Sequence, residues 1–270
     1  MTGQETRYDR IAEGYAAHWA PVHRAATLRL LDEVSETDGA GLRRIVDVGC
    51  GTAAMAVEAA SRWPGAEVDA TDISSGMLAV AARTVAGAGP AGERVRLTRA
   101  PAERLPFAAG SFDLALSAFV LQLVPSRPRA LREMRRVLRP GGRLAHVGWL
   151  AGDLPLAADQ AWDDALAMAG VERESPGGHD DLASPDAAAA QLRAAGLSGV
   201  TARADLLVHQ FTPEGYAVFI TRFDDGDLVA SLAPEVREPL VADLLARLRR
   251  LPPEGLRLEL PIVYASGVRR

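Results

Sequence analysis

Short apolar runs alternate with amphipathic stretches through the first half of the chain. The spacing predicts five strands and, between them, helices whose apolar residues recur at three and four positions. The expected strands are 44–48, 66–72, 95–99, 112–118 and 143–149, and the expected helices are 53–63, 75–88 and 128–138. Alternating strands and helices predict a mostly parallel sheet that is covered on both faces.

The flanking segments carry more helices and two further strands. Apolar spacing over residues 7–33 predicts two helices that Pro21 interrupts. Ser184 is a typical N-cap for the alanine-rich helix that follows it. Further helices are expected at 156–169, 185–195, 214–221 and 234–251, and a last pair of strands at 199–211 and 256–268.

Together these elements predict an α/β protein with a doubly wound, seven-stranded, mostly parallel sheet of Rossmann-like type, whose last strand runs antiparallel. The rest of the chain would form a helical lid. We divide the chain into an N-terminal lid segment, a ligand-binding core, and remaining core strands with inserted lid helices: 1–43, 44–150 and 151–270. The lid itself would combine 1–43, 150–184 and 212–252.

The first strand runs into a glycine turn whose sequence over residues 46–52 is VDVGCGT. Gly49 and Gly51 allow a tight turn into the next helix and let the backbone approach a ligand with no Cβ in the way. Asp47 favours a ligand that carries an amino group, because a carboxylate at this position would repel the negative charge of a pyrophosphate. The alternative is that Asp47 only hydrogen-bonds the turn.

A dinucleotide fingerprint also fits this turn. Gly49, Gly51 and Ala54 satisfy G-x-G-x-x-A, and Asp72 follows at the end of the second strand, where such folds carry a ribose-binding acid. A nicotinamide-dependent oxidoreductase is therefore an alternative, although it leaves Asp47 unexplained.

Composition narrows the range of functions. All 30 basic residues are arginine, which excludes a Schiff-base or Walker-type lysine, and 35 acidic residues leave a net charge of −5. We expect no nucleic-acid partner, because no global positive field exists. A single cysteine, Cys50, and an N-terminus without an apolar stretch predict a cytoplasmic location, and no membrane partner is expected. The oligomeric state cannot be derived from the sequence.

Six motifs follow one another along the chain. They are Tyr8-Asp9 with Ala12 and Tyr15, the glycine turn, Asp72-Ile73-Ser74 with Met77-Leu78, the run 102–107 (AERLPF), Ser111-Phe112-Asp113, and the run 136–142 (RVLRPGG). In this order they resemble the class I S-adenosylmethionine-dependent methyltransferases, particularly quinone-biosynthesis and natural-product methyltransferases.

The resemblance implies S-adenosyl-L-methionine as cofactor and implies no metal. Asp72 would accept hydrogen bonds from the ribose hydroxyls, Glu103 would meet the adenine edge, and Ser117 would close the sulfonium side. Tyr8, Tyr15 and Trp19 would form a lid over the cofactor. The full set of implied cofactor residues is Tyr8, Tyr15, Asp47, Gly49, Cys50, Gly51, Asp72, Ile73, Met77, Ala102, Glu103 and Ser117.

Two positions depart from the family pattern. Ala53 stands where the family usually has glycine, and Gln122 where histidine is frequent, which puts histidine-based catalysis from that position in doubt. If the acceptor is a hydroxyl, its proton needs a receiver. The candidate catalytic residues are His18, His23 and His146.

The reaction implied is an in-line methyl transfer to oxygen, nitrogen or carbon of a small molecule. Apolar positions outside the core favour a hydrophobic acceptor. They are Leu154, Leu156, Trp162, Phe211, Tyr216, Phe219 and Phe223, and Trp149 could line the same pocket. A protein that binds S-adenosylmethionine without transferring its methyl group, or a cyclase on the same scaffold, is the remaining alternative.

Overall fold

The computed structural model describes residues 3–38, 41–152, 154–173 and 180–270, and within them one sheet has seven strands. The strands are β1 (Arg44–Val48), β2 (Glu67–Asp72), β3 (Val95–Arg99), β4 (Phe112–Ala118), β5 (Leu138–Trp149), β6 (Leu197–Gln210) and β7 (Arg257–Arg269). They lie in the order β3-β2-β1-β4-β5-β7-β6. The expected doubly wound sheet is confirmed.

Ten α-helices accompany the described strands. They are α1 (Gly3–Gly14), α2 (Ala20–Asp38), α3 (Ala54–Arg62), α4 (Ser75–Ala86), α5 (Arg127–Val137), α6 (Ala157–Ala169), α7 (Pro185–Ala194), α8 (Pro213–Phe219), α9 (Gly226–Ser231) and α10 (Pro234–Leu248). The Ser184 hydroxyl accepts the Ala187 N–H at 3.1 Å, which confirms the predicted cap of α7. No helix in the described ranges is long and apolar enough to cross a membrane.

Strand pairing follows the expected directions. β1 lies parallel to β2 and β4, and β5 lies parallel to β4. β7 is antiparallel to both β5 and β6, as expected for the last strand. β5 begins five residues earlier than its apolar run, because Leu138 pairs with Phe112 before a register shift. A bulge of this kind has no hydrophobic signature.

The interruption between the N-terminal helices lies upstream of the predicted one. A wide helical turn over Tyr15–Trp19 joins α1 to α2, whereas Pro21 is the second residue of α2. A proline within a helix disturbs the turn before it, because its ring clashes with the carbonyl four residues back. The two predicted helices are present, but the interruption lies directly upstream of Pro21, and the wide turn there carries Tyr15 and Trp19.

The carboxylate of Asp9 holds α1 against the start of α4. Its Oδ1 accepts hydrogen bonds from the Ser74 hydroxyl at 2.7 Å and from the Gly76 N–H at 2.8 Å. The two backbones are so close that a Cβ on Gly76 would lie 2.5 Å from the Asp9 carbonyl oxygen. The hydrogen bond from Gly76, then that from Ser74, lowers the pKa of Asp9. This contact holds Tyr8, on the same helix, beside the ends of the strands.

The sheet separates two apolar layers. α2 and α3 cover one face and α5 and α7 the other, with alternate residues of β1 serving each. Ile45 faces the α2–α3 side, while Val46 and Val48 face the α5–α7 side. Asp47 is therefore on the same face as Ile45, in the middle of an apolar layer.

Candidate active site

The two glycines of the turn serve different purposes. Gly49 and Gly51 both have positive φ angles, 75° and 52°. A Cβ on Gly49 would lie 2.3 Å from Cγ2 of Val120, whereas a Cβ on Gly51 would meet nothing nearer than the Tyr15 ring at 4.0 Å. The space that we expected for a ligand is therefore present at Gly51, and Gly49 instead makes room for Val120.

Ala53 also adopts a left-handed conformation, with φ 62° and ψ 17°, at the N-cap of α3. This geometry explains why glycine suits the position, because a Cβ there costs roughly 1–2 kcal/mol. The methyl group is fully buried, so its packing offsets part of that cost. The turn closes with Ala53 in place.

Asp72 ends β2 with both carboxylate oxygens held by backbone N–H groups. Oδ2 accepts from Gly51 at 2.9 Å and Oδ1 from Ser74 at 2.9 Å. Burial raises the pKa of Asp72, against the lowering effect of the Ser74 and Gly51 hydrogen bonds. Each oxygen keeps a second lone pair, so the carboxylate can still accept two hydrogen bonds from a diol.

Asp47 is a buried carboxylate without a hydrogen-bond partner among the described residues. It has no exposed surface, and neither Oδ1 nor Oδ2 is hydrogen-bonded. Burial raises the pKa of Asp47 to about 8, and the charge of Asp72 contributes. The alternative that Asp47 only hydrogen-bonds the turn was wrong. A buried carboxylate with nothing to bind is the feature that a cationic ligand would complete.

A first cavity, which we call the Asp72 cavity, has a volume of about 110 Å³. It brings together nine of the twelve residues that the sequence implied for the cofactor. They are Tyr8, Tyr15, Gly49, Gly51, Asp72, Ile73, Met77, Ala102 and Glu103. The Glu103 Oε1 also accepts the Ser126 N–H at 3.2 Å, which fixes that side chain at the start of α5.

A second cavity, the Asp47 cavity, lies beneath α2 and measures about 360 Å³. Asp47 and Cys50 line it, and Tyr15, Gly49 and Gly51 line both cavities. The two spaces therefore lie on either side of the glycine turn. Burial, followed by the charge of Asp47, raises the pKa of the Cys50 thiol, which keeps it protonated.

Ser117 does not line either cavity. Its hydroxyl is buried and donates to the Val48 carbonyl oxygen at 2.9 Å, so it ties β4 to β1. The expectation that Ser117 closes the sulfonium side needs correcting: the next two residues, Ala118 and Phe119, face both cavities instead. Ser117 lies within β4, whereas Ala118 is its last residue and Phe119, with a φ of 57°, is the first residue beyond it.

A third cavity, the aromatic cavity, also measures about 360 Å³ and opens beside α1, α6 and α8. Its lining includes five of the seven predicted acceptor residues, together with Trp149: Leu156, Phe211, Tyr216, Phe219 and Phe223. The other two predictions were wrong. Leu154 is 44% exposed, and Trp162 is fully buried in the core, where its Nε1 donates to Asp225 at 2.6 Å.

One of the three candidate histidines reaches a cavity. His23 lines both the aromatic and the Asp47 cavities, whereas His18 and His146 line none of the three. His146 is buried within β5, and burial lowers its pKa to about 4. The structure therefore offers no acceptor contact for His18 or His146, and those two candidates are set aside.

The His23 ring is 5% exposed and sits among aromatic rings. It stacks on Phe119, with centroids 4.3 Å apart, and lies 4.8 Å from Trp19. Its Nδ1 is 3.1 Å from the Tyr15 hydroxyl, and its Nε2 has no partner among the described residues. Burial lowers the pKa of His23 to about 3, so the ring is neutral at physiological pH.

Phe119 is the site residue that sequence reasoning missed. It lines all three cavities and has a φ of 57°, which is unusual for an aromatic residue. Strained backbone of this kind costs of order 1–3 kcal/mol and clusters at functional sites. Its position directly after a strand, at the ligand-facing edge of the sheet, could have indicated a site residue. Its positive φ could not have been predicted, because neither hydrophobicity nor periodicity depends on φ.

Comparison with known proteins identifies the family. Residues 45–142 match the model of a methyltransferase domain. Nocamycin O-methyltransferase from Saccharothrix syringae is 34% identical over 205 residues, which cover 70% of this chain and 70% of that protein. The chain belongs to the class I S-adenosylmethionine-dependent methyltransferases.

Other members of the family match shorter segments. A ubiquinone/menaquinone biosynthesis C-methyltransferase from Syntrophotalea carbinolica is 37% identical over 163 residues, 58% of this chain and 66% of its own. Across three such C-methyltransferases the aligned part spans 66%, 48% and 43% of their lengths.

Solved structures share the fold. YcgJ from Bacillus subtilis covers 89% of this chain and 97% of its own at 22% identity, with a TM-score of 0.57. The cyclase SpnF covers 89% and 80% at 23% identity, with a TM-score of 0.55.

The site fits the cofactor of this family, S-adenosylmethionine. The unpartnered Asp47 carboxylate suits its ammonium group, and the two acceptor oxygens of Asp72 suit its ribose hydroxyls. The open space at Gly51 lies between them, because Gly51 lines both cavities.

Proposed function

We propose that this protein transfers the methyl group of S-adenosylmethionine to a small molecule bound in the aromatic cavity. One observation carries the proposal: Tyr15 and Phe119 line the Asp72, Asp47 and aromatic cavities alike. The two parts of a cofactor site and a separate apolar pocket therefore meet at one pair of rings. Such an arrangement suits a reaction between two bound small molecules.

Each half of the cofactor has its own group of residues in this proposal. Asp72 accepts the ribose hydroxyls, Ile73 and Ala102 flank the adenine, and Asp47 pairs with the ammonium group. Tyr8 and Tyr15, whose ring centroids are 6.2 Å apart, cover the cofactor from the α1 side. Because Asp9 docks α1 onto α4, it sets the position of Tyr8 without itself lining the Asp72 cavity.

The bound cofactor supplies an electrophilic methyl group on a positively charged sulfur. The chain aligns the acceptor and excludes water, which accounts for a large part of the rate in displacement reactions of this kind. Phe119, Trp19 and Trp149 do both, since all three line the aromatic cavity and the Trp149 ring centroid lies 4.4 Å from that of Phe119 and 6.4 Å from that of Trp19.

We assign His23 a hydrogen-bonding role toward the acceptor rather than full proton abstraction. A group with a pKa of about 3 is a weak base near neutral pH, because general-base efficiency peaks when the pKa lies close to the operating pH. Its free Nε2 can still orient a polar group of the acceptor, while Tyr15 fixes the ring through Nδ1.

The proposal is tested by incubating the purified protein with methyl-deuterated S-adenosylmethionine and a panel of small apolar acceptors. Mass spectrometry then looks for a deuterated methyl group in the product together with S-adenosylhomocysteine. We expect both to rise together. Cofactor that binds but is never consumed, over a broad panel, would favour a binding protein or a cyclase on this scaffold.

A further inference from the structure

Aromatic rings form much of the wall of the aromatic cavity. Trp19 and Phe219 stack with centroids 5.2 Å apart, and Phe223 lies 5.8 Å from Phe219. Phe119 and Trp149 close the inner end at 4.4 Å from each other. Aromatic faces are negative at their centres, so an enclosure made of them attracts cations as well as apolar groups.

Three carboxylates line this cavity, those of Asp159, Asp181 and Asp224. Asp159 comes from α6 and Asp224 from the helical turn after α8, and both line the space. The Tyr216 hydroxyl donates to Asp159, whereas Asp224 has no hydrogen bond within the described ranges. Although both side chains remain open to solvent, the protein packed around them raises the pKa of each.

Two arginines, Arg173 and Arg7, act on these carboxylates, and their charges only partly oppose the raised pKa of Asp224. Arg173 is committed to Asp225 at 3.1 Å and to Asp163 at 3.2 Å. Arg7 is the basic residue among the described lining, and it is exposed on α1 with its guanidinium near the face of Tyr8. The described lining of the aromatic cavity therefore holds three carboxylates and one arginine, an excess of acidic groups.

A separate observation indicates that the cavity recognises a polar ligand. Gln122 is 8% exposed and lines the cavity, yet its amide has no hydrogen-bond partner among the residues that the structure describes. The unpartnered Nε2 of His23 faces the same space. A fully buried imidazole nitrogen without a partner is rare in folded proteins, because leaving it unpaired is costly. The Gln122 amide is not fully buried and reaches the open space of the cavity, where a ligand can bind it.

We propose that the acceptor is a cationic amine with an apolar body, held by Asp159 and Asp224 at its charged nitrogen and by Gln122 at a second polar group. This inference rests on the proposed function, because it takes the aromatic cavity as the acceptor site. The charged nitrogen serves recognition. The apolar body lies along the aromatic walls, which explains how a hydrophobic pocket and carboxylates occur together.

Binding can be measured without turnover, since Trp19 and Trp149 line the cavity and report on it by fluorescence. The probes are phenethyltrimethylammonium, a tertiary alcohol of the same carbon skeleton, and the matching carboxylate. We expect the cation to bind about tenfold more tightly than the alcohol, in line with a desolvated cation–π contact supported by carboxylates. The preference should weaken as salt is raised.

Two variants and a matched control locate the effect. Asp159→Asn keeps an oxygen that can accept from Tyr216, and Asp224→Asn removes a charge that no described group hydrogen-bonds. Each should reduce the preference for the cation severalfold. Asp227→Asn removes an equal charge three residues from Asp224, on an exposed side chain paired with Arg10, and should leave the preference unchanged.

Three results would overturn the inference: equal binding of cation and alcohol, tightest binding of the carboxylate, or a preference that survives both cavity variants. A thermal unfolding curve for each variant confirms that the fold is intact. Failure of the proposed function is separate, because it appears as absent S-adenosylmethionine binding in calorimetry, or as bound cofactor that is never consumed, whatever the probes do.

Discussion

The Tyr15 hydroxyl lies 3.1 Å from Nδ1 of His23, and this contact joins a residue that lines the Asp72 cavity to one that lines the aromatic cavity. Tyr15 sits in the wide turn between α1 and α2, and His23 follows in the first turns of α2. One continuous helical segment therefore carries both the Tyr15 ring and the His23 imidazole that we propose to face cofactor and acceptor.

His23 should not titrate in the physiological range. Burial lowers its pKa to about 3, so its imidazole signals in NMR should stay constant from pH 5 to 8. On any acceptor that turns over, His23→Ala should lower kcat/KM about tenfold, the value of a lost hydrogen bond of about 1.4 kcal/mol. His23→Gln should recover part of the loss.

An ordinary titration near pH 6.5 in the NMR signals of His23 would contradict this assignment. So would an inflection in kcat, at saturating cofactor, that disappears in His23→Gln. Asp159 and Asp224 also line the aromatic cavity with raised pKa values, so an inflection that persists in the variant arises from a group other than His23.

Cofactor binding should release a proton from Asp47. Its pKa of about 8 means that the empty site holds a protonated carboxyl at pH 7, while an ammonium partner favours the charged form. We expect close to one proton released per cofactor at pH 7, measured by calorimetry in buffers of different ionisation enthalpy. Affinity should rise with pH towards about 8. Asp47→Asn should abolish the release.

The raised pKa of Asp47 should also make the free energy of unfolding depend on pH. Because the folded-state pKa lies above the ordinary value of 3.8, the folded protein keeps a proton that the unfolded chain loses. The free energy of unfolding should therefore fall as pH rises from about 4 to about 8. Urea titrations of the cofactor-free protein should show a weaker fall in Asp47→Asn. An identical pH dependence in both proteins would contradict the account.

The link between α1 and α4 should control cofactor affinity. Asp9→Ala removes the acceptor for Ser74 and for the Gly76 N–H, at a cost of about 1 kcal/mol, typical of a helix cap. S-adenosylmethionine binding should weaken about fivefold, since α1 carries Tyr8. Glu13→Gln, which breaks an exposed pair with Arg83 between the same helices, is the matched control and should change little.

If Asp9→Ala and Glu13→Gln weakened binding equally, the docking contact would not be specific. The pH dependence offers a second check. The pKa of Asp9 is lowered by the Gly76 and Ser74 hydrogen bonds, so its stabilising contribution is present above pH 3.8 and is lost as the pH falls below that value.

Alanine substitutions at the two turn glycines should have different effects, one mainly on fold stability and the other mainly on cofactor binding. Gly49→Ala should destabilise the fold by about 2 kcal/mol or more, because its Cβ would clash with Val120. Adding Val120→Ala should restore part of that loss. Gly51→Ala should cost only the left-handed strain of about 1 kcal/mol yet weaken cofactor binding more strongly, since its Cβ points into the open space.

The test is thermal unfolding and calorimetry on Gly49→Ala and Gly51→Ala, each with and without Val120→Ala. Rescue of Gly51→Ala by Val120→Ala, or no rescue of Gly49→Ala, would contradict the division of roles between the two glycines.

Elements with strong local signals could be predicted from the sequence. β1, β3 and β4 have the bounds that their apolar runs indicated, and the Ser184 cap is present, because these depend on neighbours along the chain. The break assigned to Pro21 lies at Tyr15–Trp19 instead, directly upstream of the proline, because a helix can accommodate a proline by widening the turn before it.

Site residues on the glycine turn and at strand ends were predicted because topology brings them together at one edge of the sheet. The residues that line the aromatic cavity were predicted less well. Trp162 and Phe211 have similar hydrophobicity, but Trp162 faces the core and Phe211 the cavity, and only packing distinguishes them. Asp159 and Asp224 escaped notice because a carboxylate on a helix usually faces solvent.

Calorimetric titration with S-adenosylmethionine and with NADH, on the wild type and on Asp72→Ala, tests the central claim most directly. We predict that S-adenosylmethionine binds to the wild type at one site per chain, that Asp72→Ala weakens it about tenfold or more through lost ribose hydrogen bonds, and that NADH does not bind. Binding of NADH alone, or S-adenosylmethionine affinity that Asp72→Ala leaves intact, would contradict the account.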